Sequence, residues 1–139
     1  MDKITFSTDL EQNIRLMQDI FQGDNTLVTR RAQSPKGLSC AVFFFDGMVN
    51  AIAINQSIIR PIVCSDRKRV SSEELAQTIL QVNDSRVEID SDKLFASFLY
   101  GDTVVFTEGE SRPVVVNTKG FTMRSTQEPT NERVLSGPR

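Results

Sequence analysis

The chain has 139 residues, 39% hydrophobic and 24% charged, with a formal net charge of −2. That length sets a single domain as the prior, large enough to fold without disulfide or metal staples. The balanced charge argues against a groove that wraps phosphates, and the absence of histidine removes the commonest metal ligand and acid–base catalyst. The longest apolar run, Cys40 to Phe45, is far short of the roughly 20 residues of a membrane-spanning helix. Met1 to Phe6 contains Asp2 and no apolar signal-peptide core, which predicts a cytosolic product. Cys40 and Cys64, without paired spacing, fit that compartment.

In chain order, Thr8 and Glu11 stand at capping-box spacing. Leu10, Ile14, Met17 and Phe21 then make one apolar stripe, so the first element is an amphipathic helix ending at Gly23. Leu27 to Arg31 reads as a short strand and Ser34-Pro35-Lys36-Gly37 as a turn. Leu38 to Phe45 is β-branched and aromatic with little alternation, as in a strand covered on both faces. Asp46-Gly47 closes it. Met48 to Arg60 is a second helix, stopped by Pro61. Ser65 to Val70 is a charged loop holding Arg67-Lys68-Arg69. Ser71 and Glu74 repeat the capping-box spacing before Leu75, Ile79 and Val82.

Arg86 to Ile89 is predicted as a strand with Val87 and Ile89 on one face. Asp90, Ser91 and Asp92 suit the N-terminus of a helix whose apolar stripe is Leu94, Phe95, Phe98 and Leu99, capped by Gly101. Thr103 to Thr107 and Pro113 to Thr118 form a hairpin, and Phe121 to Arg124 adds a last short strand. Ser125 to Arg139 is poor in apolar residues and reads as an extended connector. The expected fold is α/β (α+β mixed): a small mixed β-sheet with a C-terminal hairpin, packed by about four helices, in one domain over residues 1–124.

Few residues here invite chemistry. Asp46-Gly47 and Asp102 stand at strand ends, where α/β sheets often bind ligands, and so are ligand candidates, although each also reads as a tight turn. Phe43, Phe44 and Phe45 are expected in the core rather than in a pocket. Three consecutive basic residues fall short of the about 4–8 of a lipid-binding cluster. Cys40 is expected buried and Cys64 exposed, with no histidine to activate either. No phosphate loop, zinc spacing or paired nucleophile is present, so the reading is non-enzymatic, with no metal and no cofactor.

Three blocks resemble the GerA family, the large subunits of spore nutrient-germinant receptors. The first is Asn13-Ile14 followed by Gly23-Asp24-Asn25 and Leu27-Val28-Thr29-Arg30. The second is Phe45-Asp46-Gly47-Met48-Val49 with Ile54-Asn55 and Ile58-Ile59-Arg60-Pro61. The third runs from Leu99-Tyr100-Gly101-Asp102-Thr103-Val104 through Thr118-Lys119-Gly120-Phe121, Arg124-Ser125, Glu128-Pro129-Thr130 and Glu132 to Ser136-Gly137-Pro138-Arg139. In that family the Gly-Pro-Arg is followed by Glu-Gly-Phe, a second soluble subdomain and a membrane-spanning bundle. The resemblance therefore implies the first soluble subdomain of a receptor A subunit at the cytosolic face of the inner spore membrane. Its implied partners are the B and C subunits and the remainder of the A subunit, and its implied role is sensing, signal transmission or assembly during germination. The alternative is a stand-alone domain binding a small ligand near Asp46 and Asp102. On the receptor reading, Arg124, Glu128, Pro129, Glu132 and Arg139 in the connector are the interaction candidates, because a conformationally restricted proline among charges suits a fixed joint.

Overall fold

The computed structural model describes residues 4–80, 82 and 84–118. Helix α1 (Leu10–Ile20) buries Leu10, Ile14 and Met17, as its spacing predicts. Its cap differs from the expected Thr8–Glu11 box. Asp9 receives the N–H groups of Glu11 and Gln12 on its own carboxylate, and Glu11 pairs instead with Arg31. A short anionic side chain immediately before the first helical residue complements the exposed N–H groups and the dipole better than a threonine one position earlier. Asn13 is also buried. Its amide grips the backbone of Ser7, accepting at 2.8 Å and donating at 2.7 Å, which pins the N-terminal segment along the helix.

Strands β1 (Leu27–Gln33) and β2 (Ser39–Phe45) form a hairpin in register from Leu27 opposite Phe45 to Gln33 opposite Ser39. In the turn, Gly37 at φ +109° lets the Ser34 N–H reach the Leu38 carbonyl at 2.9 Å. Cys40, Val42 and Phe44 enter one core cluster, and Ala41, Phe43 and Phe45 the other. That is why the β2 sequence does not alternate: both faces are covered, so both need apolar side chains.

The remaining strands are β3 (Ser85–Val87), β4 (Thr103–Thr107) and β5 (Val114–Val116), in the order β1-β2-β4-β5-β3. All four described pairings are antiparallel, so the direction set by the C-terminal hairpin runs through the whole described sheet. β3 stops short of the predicted Ile89, which is 77% exposed. Glu88 still donates its N–H to Pro113, and its carboxylate then accepts the Asp90 N–H, turning the chain into the next helix.

That helix, α5 (Ser91–Leu99), is capped by Asp90 and buries Leu94 and Phe98 beside α1 on one face of the sheet. The other face is covered by α2 (Ala51–Ile54), a π turn over Asn55–Ile59 and α3 (Arg60–Val63), which run on from one another. Ile54, Ile58 and Ile62 are fully buried there. Pro61 does not stop this helix. The Arg60 N–H bonds to the Asn55 carbonyl five residues back. The widened turn makes room for a ring that would otherwise crowd the carbonyl four residues earlier. Next come α4 (Ser72–Glu74) and a second π turn, Leu75–Ile79. Ser71 Oγ accepts the Glu74 N–H at 3.1 Å, while the Glu74 carboxylate goes to Arg67 rather than completing a capping box. The expected α/β sandwich is thus three layers, with helices on both faces of one sheet. The predicted strand over Phe121 to Arg124 lies outside the described residues.

Candidate interaction face

The strand register decides which loops meet. Phe45 lies opposite Leu27, Phe43 opposite Val104, and Val116 opposite both Thr103 and Ser85. Hence the ends of β2 and β5 share one edge of the sheet with the starts of β1, β3 and β4. This end carries the Asp46-Gly47-Met48 turn, the Tyr100-Gly101-Asp102 turn and Thr118, after which the chain continues beyond the described residues.

Asp46, Gly47 and Asp102, the sequence's ligand candidates, therefore share one end, but in unlike surroundings. Asp46 is exposed, and Gly47 sits at φ +89° as a tight turn requires. Asp102 is 2% exposed, and its N–H bonds the Ser97 carbonyl at 3.1 Å. Nearby, the Asp24 carboxylate accepts both the hydroxyl and the backbone N–H of Thr26, which hold its pKa below the ordinary value. Asn117 bonds Asp84 through backbone and side chain. Thr118 is fully buried and acts as a latch, its hydroxyl reaching the Gly101 carbonyl at 2.8 Å and the Thr103 hydroxyl at 2.9 Å.

Beside these polar turns the same end exposes three large apolar side chains. Met48, Leu99 and Tyr100 are exposed by 44%, 58% and 78%. Beneath them Phe21 meets Phe45, Phe98 and Phe95 edge-on, with ring centroids 5.5, 5.3 and 5.9 Å apart. Such edge-to-face contacts fix ring orientation as well as burying area. The exposed side chains therefore stand on a rigid aromatic base. Arg124, Glu128, Pro129, Glu132 and Arg139 lie outside the described residues.

The opposite end is built differently. The Glu110 carboxylate accepts the N–H and hydroxyl of Ser72 at 3.1 and 3.2 Å and pairs with Arg112, which also pairs with Glu73. Burial pushes the Glu110 carboxyl up, but the Ser72 N–H, Arg112 and the Ser72 hydroxyl together outweigh it and hold its pKa below the ordinary value. Glu108 accepts the Leu10 N–H at 3.0 Å, and the Gly109 N–H reaches the Thr8 carbonyl.

The other sequence candidates are easily placed. Phe43, Phe44 and Phe45 are core. Cys40 is buried, and burial, partly offset by a hydrogen bond with Thr107, pushes its thiol up to about 11; Cys64 is exposed. Arg67 pairs with Glu74, tying the basic loop to a helix. Among the described residues no group of three or more His, Cys, Asp or Glu is placed to hold a metal ion. Nor is any described helix long and apolar enough to cross a membrane. Sequence reading missed a cleft between β1 and the α2–α3 run that both Arg30 and Arg60 line. Its one signal was Arg30 itself, an exposed charge in phase with Val28 and Ala32 along the strand.

The fold defines a three-layer α/β module whose chain leaves beside an apolar-rimmed sheet end. Residues 15–139 match the family model described as Bacillus/Clostridium GerA spore germination protein, and the chain belongs to that family. It is similar to three proteins of Bacillus subtilis (strain 168). With the "Uncharacterized membrane protein YfkQ" it is 27% identical over 134 residues, 96% of this chain and 26% of the relative. With spore germination protein KA the identity is 28% over 101 residues, 71% of this chain and 19% of the relative. With spore germination protein A1 it is 23% over 139 residues, 100% of this chain and 28% of the relative. The chain therefore spans well under a third of the length of these relatives. In fold it is similar to the N-terminal domain of the A subunit of the Bacillus megaterium spore germinant receptor GerK3. The TM-score is 0.63 at 16% identity, covering 85% of this chain and 49% of that one.

Proposed function

We propose that this chain is the first α/β unit of a spore germinant-receptor A subunit and that it works without catalysis, by contact. One observation carries the reading: the exit of the chain after Thr118 coincides with the apolar rim of Met48, Leu99 and Tyr100. A module joined to a further body is best placed to dock where its chain leaves, because a short connector gives a high effective concentration there. Residues 125–139 serve as the connector, with Arg124, Glu128, Pro129, Glu132 and Arg139 making the joint. Family membership and the coverage of about half of a receptor N-terminal domain support a further body of this kind. In the spore, the unit sits at the cytosolic side of the inner membrane with the B and C subunits. There it transmits or stabilises the nutrient response that starts germination.

The test uses the full-length A-subunit gene that carries this segment, expressed in spores lacking the native copy. Leu99→Ser with Tyr100→Ser, and separately Arg124→Ala with Glu128→Ala, should leave the isolated unit folded but lower receptor assembly and slow nutrient-triggered germination. Normal subunit levels, co-purification and germination in both double variants would sink the contact reading.

A further inference from the structure

We propose that the cleft between β1 and the α2–α3 run binds a small carboxylate bearing an apolar chain. The cleft is open to solvent, has a volume of about 270 Å³ and is lined by Arg30, Phe44, Asn55, Gln56, Ile59 and Arg60, with Ala51 and Ile52 completing its wall. That volume lies just below the about 300–1,000 Å³ of pockets for drug-sized ligands, so the occupant is small.

The polar groups of the cleft point to an anion. The ion pairs among the described residues engage Arg31, Arg67, Arg86 and Arg112 but neither Arg30 nor Arg60. Two guanidinium groups thus line one cavity with no carboxylate among its lining residues. Clefts lined by one sign of charge concentrate the opposite ion. Asn55 and Gln56 line the same cavity, and among the described residues their side chains make no hydrogen bond to protein. Four residues with donor side chains thus line the one cleft, and the planar fork of arginine matches a carboxylate.

The apolar wall selects among anions. Phe44 forms an almost fully buried surface, and Ile59 and Ile52 flank it, Ile52 being 69% exposed. A strongly hydrated inorganic anion would leave that wall unused, whereas a carboxylate with an alkyl chain would cover it. The backbone contributes too. The π turn ahead of Pro61 carries Asn55, Gln56 and Ile59 into the lining, and wide turns of this kind recur at functional sites. None of these residues belongs to the docking face, so the inference stands independently of the contact reading.

An NMR titration of the isotope-labelled full chain tests it, with hexanoate as the probe and hexan-1-ol as its uncharged counterpart. Hexanoate should give saturable shifts clustered at Arg30, Ile52, Asn55, Gln56 and Arg60, and the alcohol should bind about tenfold more weakly. Arg30→Gln and Arg60→Gln should each weaken hexanoate binding about tenfold. Both side chains are exposed, so the melting temperature of each variant should match that of the parent. Arg30→Lys should recover part of the loss, since it keeps charge without the fork. Absent or scattered shifts would overturn the proposal. So would equal binding of acid and alcohol, or parental affinity in both glutamine variants.

Discussion

The two ends of the sheet are made from similar turns but are closed in different ways. Where β4 meets β5, side chains from separate layers are tied together. Glu110 and Arg112 reach Ser72 and Glu73 on one face, and Glu108 reaches Leu10 on the other. At the end where the chain leaves, Asp24 closes on Thr26, Asn50 on its own helix and Thr118 on Gly101, while Ser85 reaches the Ala76 carbonyl and the Asp102 N–H the Ser97 carbonyl. Its apolar rim is left exposed. Both ends hold helical layers to the sheet, one through Glu108, Glu110 and Arg112, the other while leaving Met48, Leu99 and Tyr100 exposed.

Breaking the tied end should have the largest effect. Glu110→Ala removes the acceptor of the Ser72 N–H and hydroxyl and should cost about 2 kcal/mol in chemical denaturation. The same carboxylate gives a pH signature. Its folded pKa lies below the ordinary 4.5, so its contribution is complete above that value and is lost as pH falls through the lower folded value. The acid limb of stability should therefore be shallower in Glu110→Ala than in the parent; equal slopes would show that the carboxylate does not hold the layers together.

At the other end, the latch is the buried closure. Thr118→Val keeps the shape but leaves the Gly101 carbonyl and Thr103 hydroxyl without their partner, and should cost about 1–2 kcal/mol. Amide hydrogen exchange should rise first at Thr103 and Val116, not at Thr107. A smaller effect compares the two glycine turns. Gly47 and Gly109 adopt φ of +89° and +93°, so alanine at each should cost about 1 kcal/mol by calorimetry. Gly109→Ala should cost slightly more, because the new Cβ would lie 2.7 Å from the Arg69 guanidinium and displace it. Leu99→Ser should change stability least, within about 0.5 kcal/mol. A larger loss would mean that the rim belongs to the core.

Much of this was legible in the sequence, for physical reasons. The stripes Leu10–Ile14–Met17 and Leu94–Phe98 and the non-alternating Phe43-Phe44-Phe45 report burial directly, and burial is what periodicity encodes. Misreadings arose where two residues competed for one role. Asp9 took the cap from Thr8 by charge and position, and a widened turn admitted Pro61 into a helix it was expected to end. The gathering of Asp46, Asp102 and Thr118 at one edge was not legible, since it depends on the antiparallel register of strands distant in sequence. The Arg30–Arg60 cleft was hidden likewise, because only the pairing of β1 with β2 and the packing of α2–α3 bring Arg30 and Arg60 to one cleft.

The position of β5 has a mechanical consequence. The strand that leads out to residue 119 is not at the rim of the sheet but clasped between β4 and β3, with all three of its valines fully buried. A pull on the chain beyond Thr118 must first open the threonine latch and then shear two ladders at once, rather than peel an outer strand. Tension from that direction is thus delivered to an interior strand of the described sheet and not to its rim.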